Sequence, residues 1–373
     1  MGRQKQVVTI GGANGERMIL LSPEEFQLGK KHTLAPQKIL AGGSSVNHAS
    51  RLLAAGIDVT PILPVVNDNV GRLIKETLDL SARAGEREKD FDNIFMSGAS
   101  LTTPLTTVLS VGPQRSIFNE FSNELIKIFP EHCEKNLNTI KRFIDIDPGH
   151  EEKPDVFLIG HIHADRDRAP GQGGGISENV IRTFSERGIS IFVNYGSSQY
   201  KLGTSRWKHL LDKITCFQLD IDEIREFCGD EKLVQLEDIL NWFKNRCTLI
   251  ITMERMGAVA RLKDSEDIVL AWPYDLKAGE IIDSTGAGDA FAAGVVYSSL
   301  EEPLTSDLAL CKAMETGRLW GAYACTRLGG ASECPTQEEL SVFRANHTLF
   351  LETETKSIDE ARPMLRILDR IFF

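Results

Sequence analysis

The sequence predicts an α/β protein with a mostly parallel central sheet, helices on both faces and a small β-lid. Two observations carry this. Short apolar runs alternate with longer amphipathic segments along most of the chain, which is the rhythm of parallel strands joined by crossover helices. Two zones, about 17–40 and 102–118, break it with β-type alternation and no helix. They predict antiparallel strands outside the main sheet.

The elements follow in order. Residues 7–10 form a first strand ending in Gly-Gly-Ala-Asn-Gly. Residues 44–55 are helical, with Ser44 or Ser45 available as cap and Val46, Ala49, Leu52 and Leu53 on one face. Residues 156–159 and 189–193 are buried-strand runs, and the helix 177–187 between them closes at Gly188. Strands at 214–219 and 249–252 flank the amphipathic stretch 233–244. A strand pair at 258–262 and 268–271 follows, then helices around 306–327 and 337–349. The expected division is a core over 1–16, 41–101 and 154–345, a lid over 17–40 and 102–118, an insertion at 119–153 and a tail at 346–373. The segment 166–175 reads as a turn-rich loop, and the end of the tail is apolar.

Composition narrows the class. The chain has 373 residues, 42% hydrophobic and 25% charged, an ordinary globular balance. Its length fits several domains or one large α/β domain with an appendage. A net charge of −11 opposes nonspecific binding to nucleic acid or anionic membranes. No apolar run approaches the roughly 20 residues of a membrane span, and the N-terminal run is too short for a signal peptide. The 7 cysteines include no Cys-x-x-Cys. Reduced thiols packing as small hydrophobes in a cytoplasmic protein are the expectation.

The segment with most chemistry is Asp283-Ser284-Thr285-Gly286-Ala287-Gly288-Asp289, followed by a helix of small apolar residues. Gly286, Ala287 and Gly288 allow a tight turn with bare N–H groups facing outward at a helix N-terminus, where an anion is favoured. Asp289, in the first turn, could take a proton from an attacking hydroxyl. Local physics also allows a plain Gly-rich turn beside an Asp with no catalytic role.

This segment resembles the C-terminal signature of the PfkB/ribokinase family, Asp-Thr-x-Gly-Ala-Gly-Asp, with Ser284 in place of Thr. The resemblance implies a ribokinase-like three-layer sandwich and an ATP-dependent kinase for a sugar or nucleoside hydroxyl. It makes Asp289 the base, Gly286, Ala287 and Gly288 the anion hole, and Asp283 and Thr285 neighbours of a monovalent-cation (K+) site. A second block, residues 41–71, is similar to the family's N-terminal signature through Gly42, Gly43, Asn47, Ala49, Gly56, Asp68 and Gly71. Physically, those first two glycines would let a ligand approach the backbone, and Asn47 offers a donor and an acceptor to hydroxyls.

Further matches fall in family order. Asn14 and Glu16 stand in a sugar-binding element where Asp is usual at the second position. Asp220 and Glu223 occupy the place of Asn-x-x-Glu, which implies nucleotide phosphates and Mg2+ held by Glu223 through water; a capped acidic helix start reads equally well. Thr252 and Gly257 resemble the ATP-site motif Thr-x-Gly-x-x-Gly, with Glu254 replacing a glycine. Residues 326–331 with Pro335 resemble the closing motif. Arg115 falls on a lid hairpin from which it could reach substrate, although an exposed Arg is more often simply solvated. The resemblance runs from about residue 7 to about 340 and omits 119–153.

Two histidines, His161 and His163, would share a strand face, but no third ligand accompanies them and no metal site is expected. A nicotinamide-dependent dehydrogenase is the rival enzyme class; it lacks Gly-x-Gly-x-x-Gly, and the pattern after Gly15 turns to β. A sensor on a kinase scaffold is the non-enzyme rival. Its motivation is the set of departures at Glu16, Asp220, Glu254 and Ser284. A homodimer pairing through the lid edge is the expected assembly.

Overall fold

A computed structural model describes residues 3–22, 24–34, 37–98, 101–111, 114–147, 153–163, 175–277, 279–331, 333–349 and 351–372. The expected loop at 166–175 and the tip of the lid hairpin lie almost wholly outside the described residues, as does the side chain of Arg115. The strands are β1 (Gln6–Ile10), β2 (Asn14–Leu21), β3 (Ile39–Gly42), β4 (Asp58–Ile62), β5 (Leu105–Val111), β6 (Gln114–Glu120), β7 (Val156–Ile159), β8 (Ser190–Asn194), β9 (Cys216–Asp220), β10 (Thr248–Thr252), β11 (Ala258–Arg261), β12 (Asp267–Ala271) and β13 (Glu354–Ser357). The helices are α1 (Ser44–Ala54), α2 (Asn69–Ala84), α3 (Asn123–Ile146), α4 (Ile176–Ser185), α5 (Ser197–Tyr200), α6 (Gly203–Trp207), α7 (Ile221–Phe227), α8 (Leu236–Phe243), α9 (Ala287–Glu301), α10 (Asp307–Cys325), α11 (Gln337–Asn346) and α12 (Ile358–Ile371).

Nine strands form the main sheet in the order β13-β12-β11-β10-β9-β8-β7-β1-β4. The run from β10 through β9, β8, β7 and β1 to β4 is parallel. The three strands at the other edge pair antiparallel. Apolar side chains on opposite faces of this sheet belong to two separate cores. One holds Phe157, Phe217 and Leu249 under α4, α7, α8 and α12. The other holds Val59, Leu158 and Ile250 under α1, α2, α9 and α10. This is the three-layer sandwich expected from the alternating pattern.

Helix α9 sits at the centre of the second layer, packed on α10 and α1. Its residues are small and apolar because it is covered on several sides; Ala290, Phe291, Ala293, Gly294 and Val296 are all buried. A Cβ at Gly294 would lie 2.9 Å from the Cα of Gly317, so glycine permits the close crossing of α9 and α10. The face of α1 expected inward is buried, with Val46, Ala49, Leu52 and Leu53 at 0% exposure. Its N-cap differs from expectation. Gly43 holds that position with φ 93° and no side-chain cap, while Ser44 Oγ accepts the amide of His161 at 2.8 Å.

The lid is a second sheet of order β3-β2-β5-β6. It starts at Asn14 rather than residue 17, because Asn14 pairs with Gly42 and Gly15 with both Ala41 and Leu105. Its centre is parallel, not antiparallel: β2 and β5 run the same way because the chain passes through the core between them. Among the described residues between β2 and β3, no strand forms.

The segments outside the family resemblance also differ from the expected division. Helix α3 is one continuous element that buries Leu125, Phe129, Cys133, Leu137 and Ile144 in the main core, a spacing near one turn that aligns them on one face. Ser122 caps it by accepting the amide of Leu125 at 3.0 Å. The tail extends the fold: β13 adds to the sheet edge beside β12, and α12 buries Ala361, Leu365 and Leu368. Asp369 accepts the amide of Leu236 and pairs with Arg225 at 3.1 Å. All 7 cysteines are free thiols, with Cys133, Cys216, Cys228 and Cys247 buried. Among the described residues, no helix is long and apolar enough to cross a membrane.

Because α12 closes one face of the sheet, Leu365→Ala should lower unfolding free energy by about 2–5 kcal/mol in chemical denaturation. A loss below about 0.5 kcal/mol would mean that the tail is only loosely docked.

Candidate active site

The N-terminus of α9 opens at the carboxyl ends of the parallel strands. Gly286 adopts φ 72° and ends the turn that begins at Asp283. That turn is held by Asp283: Oδ1 accepts the amide and hydroxyl of Thr285 at 3.0 and 2.7 Å, and Oδ2 accepts the amide of Gly329 at 3.1 Å. The closing motif is thereby brought against Gly286, where a Cβ would lie 2.7 Å from the Cα of Gly330. Of the three amides expected to form an anion hole, that of Ala287 is engaged by the Ser284 carbonyl at 3.2 Å. Among the described residues, no backbone acceptor outside regular elements takes those of Gly286 and Gly288.

Asp289 faces a cavity also lined by Ser44, His161, Gln218, Glu223 and Thr252. Asn47 Nδ2 donates to its Oδ2 at 2.7 Å. One of the two Asn47 N–H donors is thereby used to orient Asp289. The same amide is wedged between Gly286 and Gly330, where an added Cβ would lie 3.1 and 2.4 Å from Asn47 Nδ2.

Two contributors were not singled out from sequence. His48 is fully buried with Nε2 3.4 Å from Asp289 Oδ1, and burial lowers its pKa, which keeps the ring neutral. Gln218 Nε2 donates to the Gly288 carbonyl at 3.0 Å and fixes the turn from β9. The signal for His48 was its place beside Asn47 in the N-terminal block; Gln218 gave none.

The missing Cβ atoms of Gly42 and Gly43 leave room for the protein's own side chains. A Cβ at Gly42 would lie 2.2 Å from the Glu16 carboxyl carbon, and one at Gly43 2.6 Å from Asn14 Oδ1. Asn14 Nδ2 donates to Thr106 Oγ1 at 2.8 Å, and that hydroxyl donates to Asn119 Oδ1 at 2.9 Å. Glu16 is 7% exposed, and its pKa is pushed up to about 7 by desolvation first and the charge of Asp289 second.

At the other end of the cavity, Asp220 and Glu223 form the capped helix start that was one of the two readings left open from sequence. They form a capping box on α7: Glu223 donates its amide to Asp220 Oδ1 at 2.8 Å, and Asp220 donates its amide to Glu223 Oε2 at 3.1 Å. Both also line the cavity. Desolvation, then the Asp220 charge, pushes Glu223 up to about 8. Thr252 reaches the cavity, whereas Gly257 is not among its lining residues. Gly257 has φ 91°, and a Cβ there would lie 2.1 Å from the Ala271 carbonyl oxygen. Glu254, where the family pattern carries glycine, holds φ 46°, the left-handed region.

His161 and His163 share a serine: His161 Nε2 and His163 Nδ1 lie 3.0 and 3.1 Å from Ser198 Oγ. Burial, then the neighbouring His163, lowers His161 to about 4. Among the described residues, no three His, Cys, Asp or Glu side chains converge to hold a metal directly. The nicotinamide alternative fails on topology, since the glycine-rich turn after β1 leads into lid strand β2.

The raised carboxyl pKa at Glu16 predicts a pH signature. Folding favours the protonated form, so its stabilisation is full below about 4.5 and is lost as pH rises through about 7. Glu16→Gln should match the wild type near pH 4 and exceed it by ~1 kcal/mol or more at pH 8 in denaturant titrations. Equal stability at both pH values would contradict the buried placement.

Comparison with known proteins agrees with this architecture. Residues 185–337 match the model of the pfkB family carbohydrate kinases. An aminoimidazole riboside kinase of Salmonella typhimurium is 26% identical over 127 residues, 32% of this chain and 38% of that protein. An uncharacterized sugar kinase of Dictyostelium discoideum is 31% identical over 124 residues, 31% and 34% of the two chains. The chain thus aligns with little more than a third of the length of these curated relatives. In structure, Arabidopsis thaliana ribokinase complexed with ribose and ATP superposes with a TM-score of 0.62 at 15% identity, covering 91% of this chain and 98% of the other. Residues 185–337 are thus similar in sequence to the pfkB family carbohydrate kinases, and the fold is ribokinase-like along most of the chain's length.

Proposed function

We propose that this protein transfers the γ-phosphoryl group of ATP to a hydroxyl of a sugar or nucleoside. The observation that carries the reading is the Asp289 carboxylate, oriented by Asn47 at 2.7 Å beside the turn that opens α9. A proton acceptor and outward-facing amides at one helix mouth are what in-line phosphoryl transfer uses. The acceptor hydroxyl would give its proton to Asp289 as its oxygen bonds to the γ-phosphorus. The bridging β–γ P–O bond breaks, and ADP leaves with the electron pair. The amides of Gly286 and Gly288, at the positive end of α9, would receive the developing charge. Ala287 would contribute less, since its amide already has an acceptor.

The cavity wall is acidic. Asp220, Glu223 and Asp289 face it, and no Lys or Arg lines it among the described residues. ATP would enter with Mg2+ neutralising its phosphates, and that ion, held through its waters by Glu223 and Asp220, would favour the ionised form of both raised carboxyls. Asp283 and Thr285 are engaged with each other and with Gly329, so they tie the loop, and no step is assigned to a monovalent cation. On the substrate side, Asn14 and Glu16 would meet sugar hydroxyls beneath the lid, while Gly42 and Gly43 make room for them. Thr252 would contact the nucleotide. The bond that orients Asp289 argues for catalysis over sensing, because a binder needs no aimed base. Two copies would pair through lid edge strand β6, where Ile117 and Phe118 are 62% and 55% exposed.

Asp289→Asn should leave ATP affinity near that of the wild type and cut turnover by roughly two to four orders of magnitude. The check is a coupled ATP-consumption assay over sugars and nucleosides, paired with nucleotide titration. Full turnover in the variant would remove Asp289 from the mechanism.

A further inference from the structure

We infer that a second cavity, between the lid and helix α3, seats the non-reacting part of the acceptor, and that this part is an uncharged, apolar ring. The inference rests on the kinase reading above for its reacting end alone. The cavity begins at Gly12, Ala13 and Asn14, the turn that leads into the lid. His161 lines both this cavity and the one containing Asp289, so the two are neighbours on either side of that ring. A ligand held beneath the lid with a hydroxyl toward Asp289 has its remainder directed here.

The far wall is supplied by the insertion that the family resemblance omits. Phe121, Leu125, Ile126 and Phe129 present an apolar surface from the start of α3. Phe121 stays 37% exposed, with its ring centred 4.3 Å from that of His163 and tilted 57° to it. Pro64 and Pro104 continue the apolar lining. No Asp, Glu, Lys or Arg lines this cavity among the described residues. His161, the ring at the junction, is neutral at ordinary pH. The amide of Leu125 at the helix mouth is already taken by Ser122.

This chemistry selects. Among the described lining residues, only the His163 ring could set positive charge against a phosphate or carboxylate, so such a group would give up its hydration for little return. A free pentose would leave the phenylalanine wall in water. A planar or apolar aglycone covers that wall, and Asn119 Nδ2 would give its polar edge a donor, the Asn119 oxygen being taken by the Thr106 hydroxyl. The acceptor is thus a glycoside of nucleoside type and not a sugar phosphate or sugar acid, and the specificity resides in residues 121–129 rather than in the family motifs.

The test measures dissociation constants by calorimetry for inosine, nitrophenyl riboside, ribose and ribose 5-phosphate, together with ATP turnover on each. The proteins are the full wild-type chain, Phe121→Ala and Ile126→Ala, each checked for an unchanged unfolding midpoint. Both side chains are partly exposed, so either variant serves if the other misfolds. The expected result is that at least one ring-bearing riboside binds roughly tenfold or more tighter than ribose and ribose 5-phosphate, and that each variant narrows this ratio severalfold. Equal or tighter binding of ribose or ribose 5-phosphate, no binding of either ring-bearing riboside, or a ratio unmoved by both variants would overturn the inference. Ring-selective binding without turnover of any acceptor would sink the kinase reading and leave the pocket standing. Turnover of ribose equal to that of the ribosides, with equal affinities, would do the reverse.

Discussion

The hydrogen bond from Asn47 to Asp289 joins the two halves of the site. It links α1, whose N-terminus lies beside the lid, to α9, whose N-terminus makes the Gly-rich turn. The bond can form because two glycines, Gly286 and Gly330, leave space around the Asn47 amide that a Cβ would fill. The closing motif is in turn held by Asp283 through Gly329 and by Arg51, whose guanidinium donates to the Gly330 carbonyl at 2.8 Å. Three segments distant in sequence thus meet around one carboxylate. Behind it, the neutral ring of His48 fills the buried side, while Asp289 faces the cavity.

Electrostatics gives that opening its character. Glu16, Asp220 and Glu223 all have carboxyl pKa values raised first by burial, and the charge of Asp289 adds to the shift at Glu16 and Glu223. The site is therefore poised to take up positive charge, as protons or as a cation arriving with a nucleotide. Among the described residues, no Asp, Glu, Lys or Arg lines the neighbouring cavity under the lid, and one of its walls is apolar. One chain presents two chemically distinct compartments that meet at His161. That division fits a reaction in which one substrate is highly charged and the other is not.

Much of this was legible in the sequence, and the legible parts share a cause. The parallel strands read as apolar runs because both of their faces are buried, and the turn at Gly286 read as an anion site because glycine there can take φ 72°. The Asp220–Glu223 pair read two ways because it is both a capping box and a cavity wall. What stayed hidden depends on contacts between distant residues. Gly42 and Gly43 looked like ligand-facing glycines, but their missing Cβ atoms make room for Glu16 and Asn14, a pairing that only the lid strands define. The tail carried no family signal, yet β13 and α12 close a sheet edge and a core face. Glu254 keeps a left-handed turn without the glycine that would make it free of strain, so the fold there holds the turn and not the residue type.

The most direct test of the account is a crystal structure with a non-hydrolysable ATP analogue, magnesium and a bound riboside. The account predicts γ-phosphate oxygens within about 3 Å of the amides of Gly286 and Gly288, and an acceptor hydroxyl within the same reach of the Asp289 carboxylate. A phosphate tail lying away from the start of α9, or a hydroxyl facing elsewhere with Asp289 still locked to Asn47 alone, would contradict it.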